Sequence, residues 1–240
     1  MVVSGALRVL LLCLLSPRLR GAEVQYVNDG NLAQIVHYLQ NNYSPGEGRQ
    51  FAVAVNIPAQ LCTGKFLMQN FTNALNASKS NVVKNAMTGP NRTYVGERLI
   101  GATLKDDGTK NRTNFHSEYL LLMRPNPAHS HMKILLDRDQ SGCAIFYTYN
   151  SPCKNTCLNE KSDRCIINNL IMFKGHPGPT AFVYHKLFEN DNRNITRKFE
   201  DIDIRVPLYR CNSSRSSDSC RRCFEGSNLG YCRNNSTELR

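Results

Sequence analysis

Three short apolar runs decide which architectures are open to this chain. FAVAVNI (51–57), CAIFYTY (143–149) and TAFVYHKLF (180–188) are seven to nine residues long and rich in β-branched and aromatic side chains. Each is bounded by proline or glycine, as buried strands are. Helical periodicity lies between them. In NLAQIVHYLQ (31–40), Leu32, Ile35, Val36 and Leu39 share one face. FHSEYLLLM (115–123) predicts a second helix, ended by Pro125. Pro152 can open a third, reaching about Phe173. Lys133 to Leu136 extends a strand or helix, YVGERLIGATL (94–104) reads as a strand, and residues 202–208 predict the last strand. Residues 59–93 are polar and read as an insertion with a short helix near 65–76. This order implies an α/β layer with helices on a mixed sheet. Composition agrees, because 41% hydrophobic and 20% charged residues exclude a disordered chain.

The first 22 residues carry Arg8, an apolar run from Val9 to Leu15, and the small residues Gly21 and Ala22. That is the layout of a secretory signal peptide. The run is far short of the roughly 20 residues that span a bilayer, and no second apolar span follows, so no transmembrane anchor is expected. Asn-x-Ser/Thr sequons start at Asn42, Asn70, Asn76, Asn91, Asn111, Asn194, Asn212, Asn234 and Asn235, as glycosylation candidates. Three of these fall in the 59–93 insertion. A secreted glycoprotein is the expectation.

Cleavage after residue 22 would remove three arginines and no acid. Of 30 basic and 19 acidic residues, 27 and 19 would remain, a net charge of +8. Such a surface suits nucleic acid, a sulfated glycan or an anionic membrane, and equally serves plain solubility.

Two motifs carry chemistry. His116-Ser117-Glu118 opens one predicted helix, and Pro152-Cys153-Lys154-Asn155-Thr156-Cys157 opens another after a central strand. One imidazole and two thiolates leave a fourth tetrahedral position for water, which makes an open, catalytic kind of site. Zinc there would lower the pKa of water toward neutrality and make a hydroxide nucleophile. Glu118 stands two residues from His116 and can move that water's proton without ligating.

This pairing resembles the H-x-E…P-C-x-x-C signature of the cytidine deaminase-like superfamily of zinc deaminases. The Ser151-Pro152-Cys153 triplet resembles its APOBEC-like branch, and toxin-type deaminases share the superfamily. The resemblance covers about residues 31–208. It implies a three-layer, helix-flanked, mixed five-stranded sheet and one zinc ion held by His116, Cys153 and Cys157. It also implies Glu118 as proton shuttle during attack of zinc-bound hydroxide on a nucleobase. The chain departs from the pattern in three respects. Three residues separate the cysteines, 33 separate Glu118 from Pro152, and Asn150 stands where an aromatic is usual. Tyr149 and Asn150 remain as substrate-contact candidates. The domain plan is a signal peptide at 1–22, a deaminase-like domain at 23–208 and a cysteine-rich tail at 209–240.

Ten cysteines must be divided. Cys13 belongs to the signal segment. Cys153 and Cys157 either bind zinc or, in an oxidising compartment, bridge each other. Cys211, Cys220, Cys223 and Cys232 form two disulfides or a structural zinc site. Cys62, Cys143 and Cys165 can make one bridge at most among themselves. The sequence therefore supports a secreted zinc-dependent deaminase of a nucleoside, nucleotide or nucleic acid. The alternative is an inactive secreted glycoprotein that uses the same fold and its basic surface to bind glycan, nucleic acid or a receptor.

Overall fold

The computed structural model describes residues 26–106, 108, 114–188, 195–213 and 218–233. The signal segment lies outside them, as do Asn111, Asn194, Asn234 and Asn235.

A seven-stranded sheet forms the middle layer, in the order β2-β3-β1-β6-β7-β8-β9. Its strands are β1 (Phe51–Ile57), β2 (Thr93–Val95), β3 (Leu99–Thr103), β6 (Cys143–Asn150), β7 (Thr180–Lys186), β8 (Leu208–Ser213) and β9 (Asp218–Arg222). β6, β7 and β8 run parallel, and the other neighbouring pairs are antiparallel. The sheet is mixed and the class is α/β, as expected, but it has seven strands rather than five. The additions lie at the two edges: β2 pairs with β3, and β9 pairs with β8. A separate ribbon, β4 (Lys105–Asp106) with β5 (Asn114–Phe115), leads into the His116 motif.

Alternation along the strands separates two cores. In β1, Val53 and Val55 face one cluster while Ala52 and Ala54 face the other. The first face is covered by helix α1 (Asp29–Tyr43), followed in chain order by α2 (Gln60–Thr63), α3 (Met68–Ala74) and α4 (Ser80–Thr88). Asn28 caps α1 by accepting a hydrogen bond from the Asn31 amide. Leu32, Ile35, Val36 and Leu39 are buried, and each contributes about 2 kcal/mol in transfer free energy. The polar insertion thus folds as helices that bury Leu61, Phe71, Leu75, Val83 and Met87.

The second face is lined by Ala52, Ala54, Ala102 and Ala144. Four small side chains let α5 (Ser117–Met123) approach the sheet closely, with Leu120 and Leu121 packed on it. Helix α6 (His131–Arg138) follows, then α7 (Ile171–Lys174) and α8 (Thr196–Asp203).

Three sequence expectations fail here. The single strand expected over 94–104 is a hairpin, with β2 and β3 paired antiparallel on either side of Gly96, Glu97 and Arg98. The helix expected from Pro152 to Phe173 does not form. Residues 154–158 are turns, and regular structure resumes only in a 3-10 turn at Ile167–Leu170 and in α7. Side-chain oxygens of Asn159 and Ser162 take the backbone N–H groups of Lys161 and Arg164, in competition with helical bonding. The last strand begins at Leu208, where it was expected to end. Ile202, Ile204 and Val206 alternate like a strand, but Ile202 completes the buried face of α8 with Phe199 and Ile204 is 58% exposed.

The tail is continuous with the sheet. Cys211 and Cys220 sit directly opposite each other on β8 and β9 and form a disulfide. Cys223 and Cys232 form another, tied to the short helix α9 (Leu229–Arg233) and buried in the second core. A third joins Cys62 to Cys143, which leaves Cys165 free.

Candidate metal centre

β6 ends at Asn150, and after Ser151, Pro152 and Cys153 the chain enters turns at 154–158. The Leu158 amide donates to the Cys153 carbonyl, and the Cys157 amide donates to Cys153 Sγ at 3.5 Å. This tight loop, rather than one face of a helix, brings both sulfurs to the same side. His116 occupies the cap position of α5, with extended backbone, so its ring points away from the helix body toward them. Its Nδ1 lies 3.2 Å from Cys157 Sγ and 3.7 Å from Cys153 Sγ.

The ligand atoms of His116, Cys153 and Cys157 all lie within 4.8 Å of one another. Zinc–nitrogen and zinc–sulfur bonds of about 2.0 and 2.3 Å in a tetrahedron place nitrogen and sulfur about 3.5 Å apart, between the two distances seen. Cys153 and Cys157 are not bridged, so both sulfurs remain available. One imidazole and two thiols therefore fit a metal ion, with one position open.

The electrostatics point the same way. The hydrogen bond from Cys157 brings the Cys153 thiol down to about 3, against its burial and with help from His116. The same bond, together with burial, drives the Cys157 thiol well up. The hydrogen bond to Cys153 raises His116, against its burial. These contacts favour the thiolate at Cys153 over that at Cys157. A cation would favour the second as well, because metal ligands bind deprotonated.

Glu118 lies in the first turn of α5, two residues after His116, and is 1% exposed. Burial pushes its carboxyl group up, while His116 and the Thr148 hydroxyl favour its charged form. Thr148 Oγ1 donates to Oε1 at 2.8 Å, Gln50 Nε2 donates to Oε1 at 3.0 Å, and Ser117 Oγ donates to Oε2 at 3.1 Å. Sequence reasoning missed Gln50, Ser117 and Thr148. Thr148 had one signal, a hydroxyl inside an apolar strand run.

A family model described as Secreted Novel AID/APOBEC-like Deaminase 1 matches residues 29–236. The chain belongs to this family. The match takes in both motifs, the whole sheet and the tail strands. No curated protein and no solved structure matches the chain. The family is secreted by name. Three disulfides among the described residues accord with an oxidising compartment, and no described helix is long and apolar enough to cross a membrane.

Within this deaminase-like frame the two substrate-contact candidates separate. Tyr149 turns away from Glu118. Strand alternation that aims Thr148 at the site aims Tyr149 at the opposite face, where it stacks on Phe51 and packs near His185. Asn150 stays at the site through its backbone: its N–H donates to Gln50 Oε1 at 2.8 Å, and its carbonyl lies 3.0 Å from Thr148 Oγ1, whose one proton goes to the shorter bond with Glu118. Of the sequon asparagines, Asn70, Asn76 and Asn91 are exposed, while Asn42 on α1 and Asn212 on β8 are half-buried.

Proposed function

We propose that the protein is a zinc-dependent hydrolytic deaminase of a nucleobase, carried in a nucleoside, nucleotide or nucleic acid. One observation carries the reading: His116, Cys153 and Cys157 offer three ligand atoms within 4.8 Å, beside a buried carboxylate that is not part of the set. When bound, zinc supplies Lewis acidity that makes a coordinated water acidic near neutral pH. Glu118 takes a proton from the attacking water and delivers it to the amine that leaves, so water and an aminated ring become an oxo ring and ammonia. Ser117, Thr148 and Gln50 hold both carboxylate oxygens while this happens. The enclosing core keeps other water from Glu118, whose side chain is sealed by the sheet and α5.

Residues 1–22 act as the signal peptide in this reading, and the exposed Asn70, Asn76 and Asn91 are the first candidates to carry glycans.

The test is deamination of cytidine, adenosine and oligonucleotides carrying either base, by zinc-replete protein from a secretory host. Wild type releases ammonia, and Glu118→Gln keeps its zinc but loses about 100- to 10,000-fold in rate. A zinc-free, correctly folded wild-type protein would sink this reading in favour of the binding glycoprotein.

A further inference from the structure

The β1–β6 register pairs Ala52 with Thr148, and two residues further out the Gln50 side chain meets the Asn150 N–H. Gln50, Ala52 and Thr148 therefore share the face that looks at α5. Gln50 is half-buried, and its amide is used at both ends. Oε1 accepts the Asn150 backbone N–H at 2.8 Å. Nε2 lies 3.0 Å from Glu118 Oε1, 2.9 Å from Thr148 Oγ1 and 3.2 Å from Ser117 Oγ. The amide orientation is unambiguous, since the reverse would set its carbonyl against a carboxylate and its NH₂ against an N–H.

We propose that Gln50 is the positioning residue for Glu118, a strut that locks the carboxylate to the strand end from which the Cys153 loop departs. The inference rests on Glu118 being the proton carrier. The physical case is one of geometry. Glu118 lies in the first turn of a seven-residue helix, and its side chain has free rotors. Thr148 and Ser117 each hold one oxygen with one bond. Gln50 bonds to Oε1 directly and also donates to the hydroxyl of Thr148, which orients the Thr148 proton toward the same oxygen. Through Asn150 it ties that carboxylate to the residue three positions before Cys153. Spacing between proton carrier and metal ligands is thereby set by one side chain whose own position is set by the β1–β6 ladder.

Gln50 also lines a cleft of about 300 Å³ with Arg49, Arg92 and Thr103. Arg92 holds a left-handed backbone, φ +58°, a conformation that costs a non-glycine residue energy and is common near functional sites. Gln50 thus both lines that cleft and touches Glu118.

The experiment compares full-length wild type, Gln50→Met and Glu118→Gln. Methionine keeps the volume and removes the amide. Zinc-loaded proteins are assayed on cytidine, adenosine and an oligonucleotide carrying both bases. The same proteins loaded with cobalt(II) are followed by visible absorption across pH, because a carboxylate two residues from the ligand His116 would influence the cobalt bands. Gln50→Met is expected to hold one metal per chain, to lose about 10- to 100-fold in kcat with little change in KM, and to move the cobalt pH profile in the direction Glu118→Gln moves it. The proposal is overturned if Gln50→Met matches wild type in both readouts while Glu118→Gln does not. Should wild type deaminate none of these substrates, the functional reading fails alone, and the cobalt comparison still decides on Gln50. If Gln50→Met does not fold, Thr148→Val removes the donor that Gln50 orients and is expected to shift both readouts the same way. A folded Thr148→Val with wild-type kcat and cobalt profile overturns the proposal.

Discussion

Cys157 Sγ lies 3.2 Å from Nδ1 of His116, a residue 41 positions earlier in the chain. The contact joins the turn that follows the β4–β5 ribbon to the loop that follows β6 of the main sheet. The ligand cluster thus depends on where the ribbon and the central strand β6 end.

Removing either sulfur should empty the centre. Cys153→Ser and Cys157→Ser are each expected to lose nearly all zinc, because two protein ligands do not hold the ion against solvent. Both should remain folded, since two apolar clusters and three disulfides lie around the sheet independently of the metal. Metal analysis beside circular dichroism checks this; a fully zinc-loaded Cys157→Ser protein would refute the assignment.

The Cys62–Cys143 bridge spans 81 residues, from α2 to the first residue of the central strand β6. By loop-closure entropy a cross-link of that span stabilises by about 4 kcal/mol. The Cys62→Ala/Cys143→Ala double variant should therefore lower the denaturant midpoint more than loss of the nine-residue Cys211–Cys220 loop does. Equal losses would show that chain entropy is not the governing term.

Gly178 packs where no side chain fits. A Cβ there would stand 1.9 Å from the Gly142 carbonyl oxygen, which is backbone and cannot step aside. Gly178→Ala should destabilise by about 1–3 kcal/mol or more, by pushing the entry to β7 off the start of β6. Thermal unfolding measures it, and Gly226→Ala, in open space but at φ +54°, reports backbone strain alone for comparison.

Asp139 offers a pH signature. Partial burial pushes its carboxyl group up, but hydrogen bonds from Ser141 and Arg98 outweigh this and leave it below the ordinary carboxylate range. Arg98 Nη1 is 3.4 Å away. A depressed folded value means the contribution is complete above about pH 4 and is lost as pH falls through the folded value. Asp139→Asn should thus cost up to about 1 kcal/mol at neutral pH, and the difference should vanish in acid. A stability gap that persists unchanged at pH 2 would assign the effect to packing instead.

Local pattern was enough for much of this protein. FAVAVNI became β1 residue for residue, CAIFYTY became β6 with one residue added, and FHSEYLLLM holds α5. Period and breaker residues act within a few positions, so the sequence alone determined these segments and which motifs follow them, though not 152–173 or 202–208. It also determined the ligand types, because His, Cys and Glu carry their chemistry wherever they are placed. Tertiary structure decided the partners. Cys62 pairs with Cys143 rather than Cys165 because α2 packs against the start of β6. Gln50 reaches Glu118, 68 positions away, only because β1 and β6 are neighbours in one register. Such choices depend on which distant surfaces are brought into contact, and no short-range periodicity encodes that.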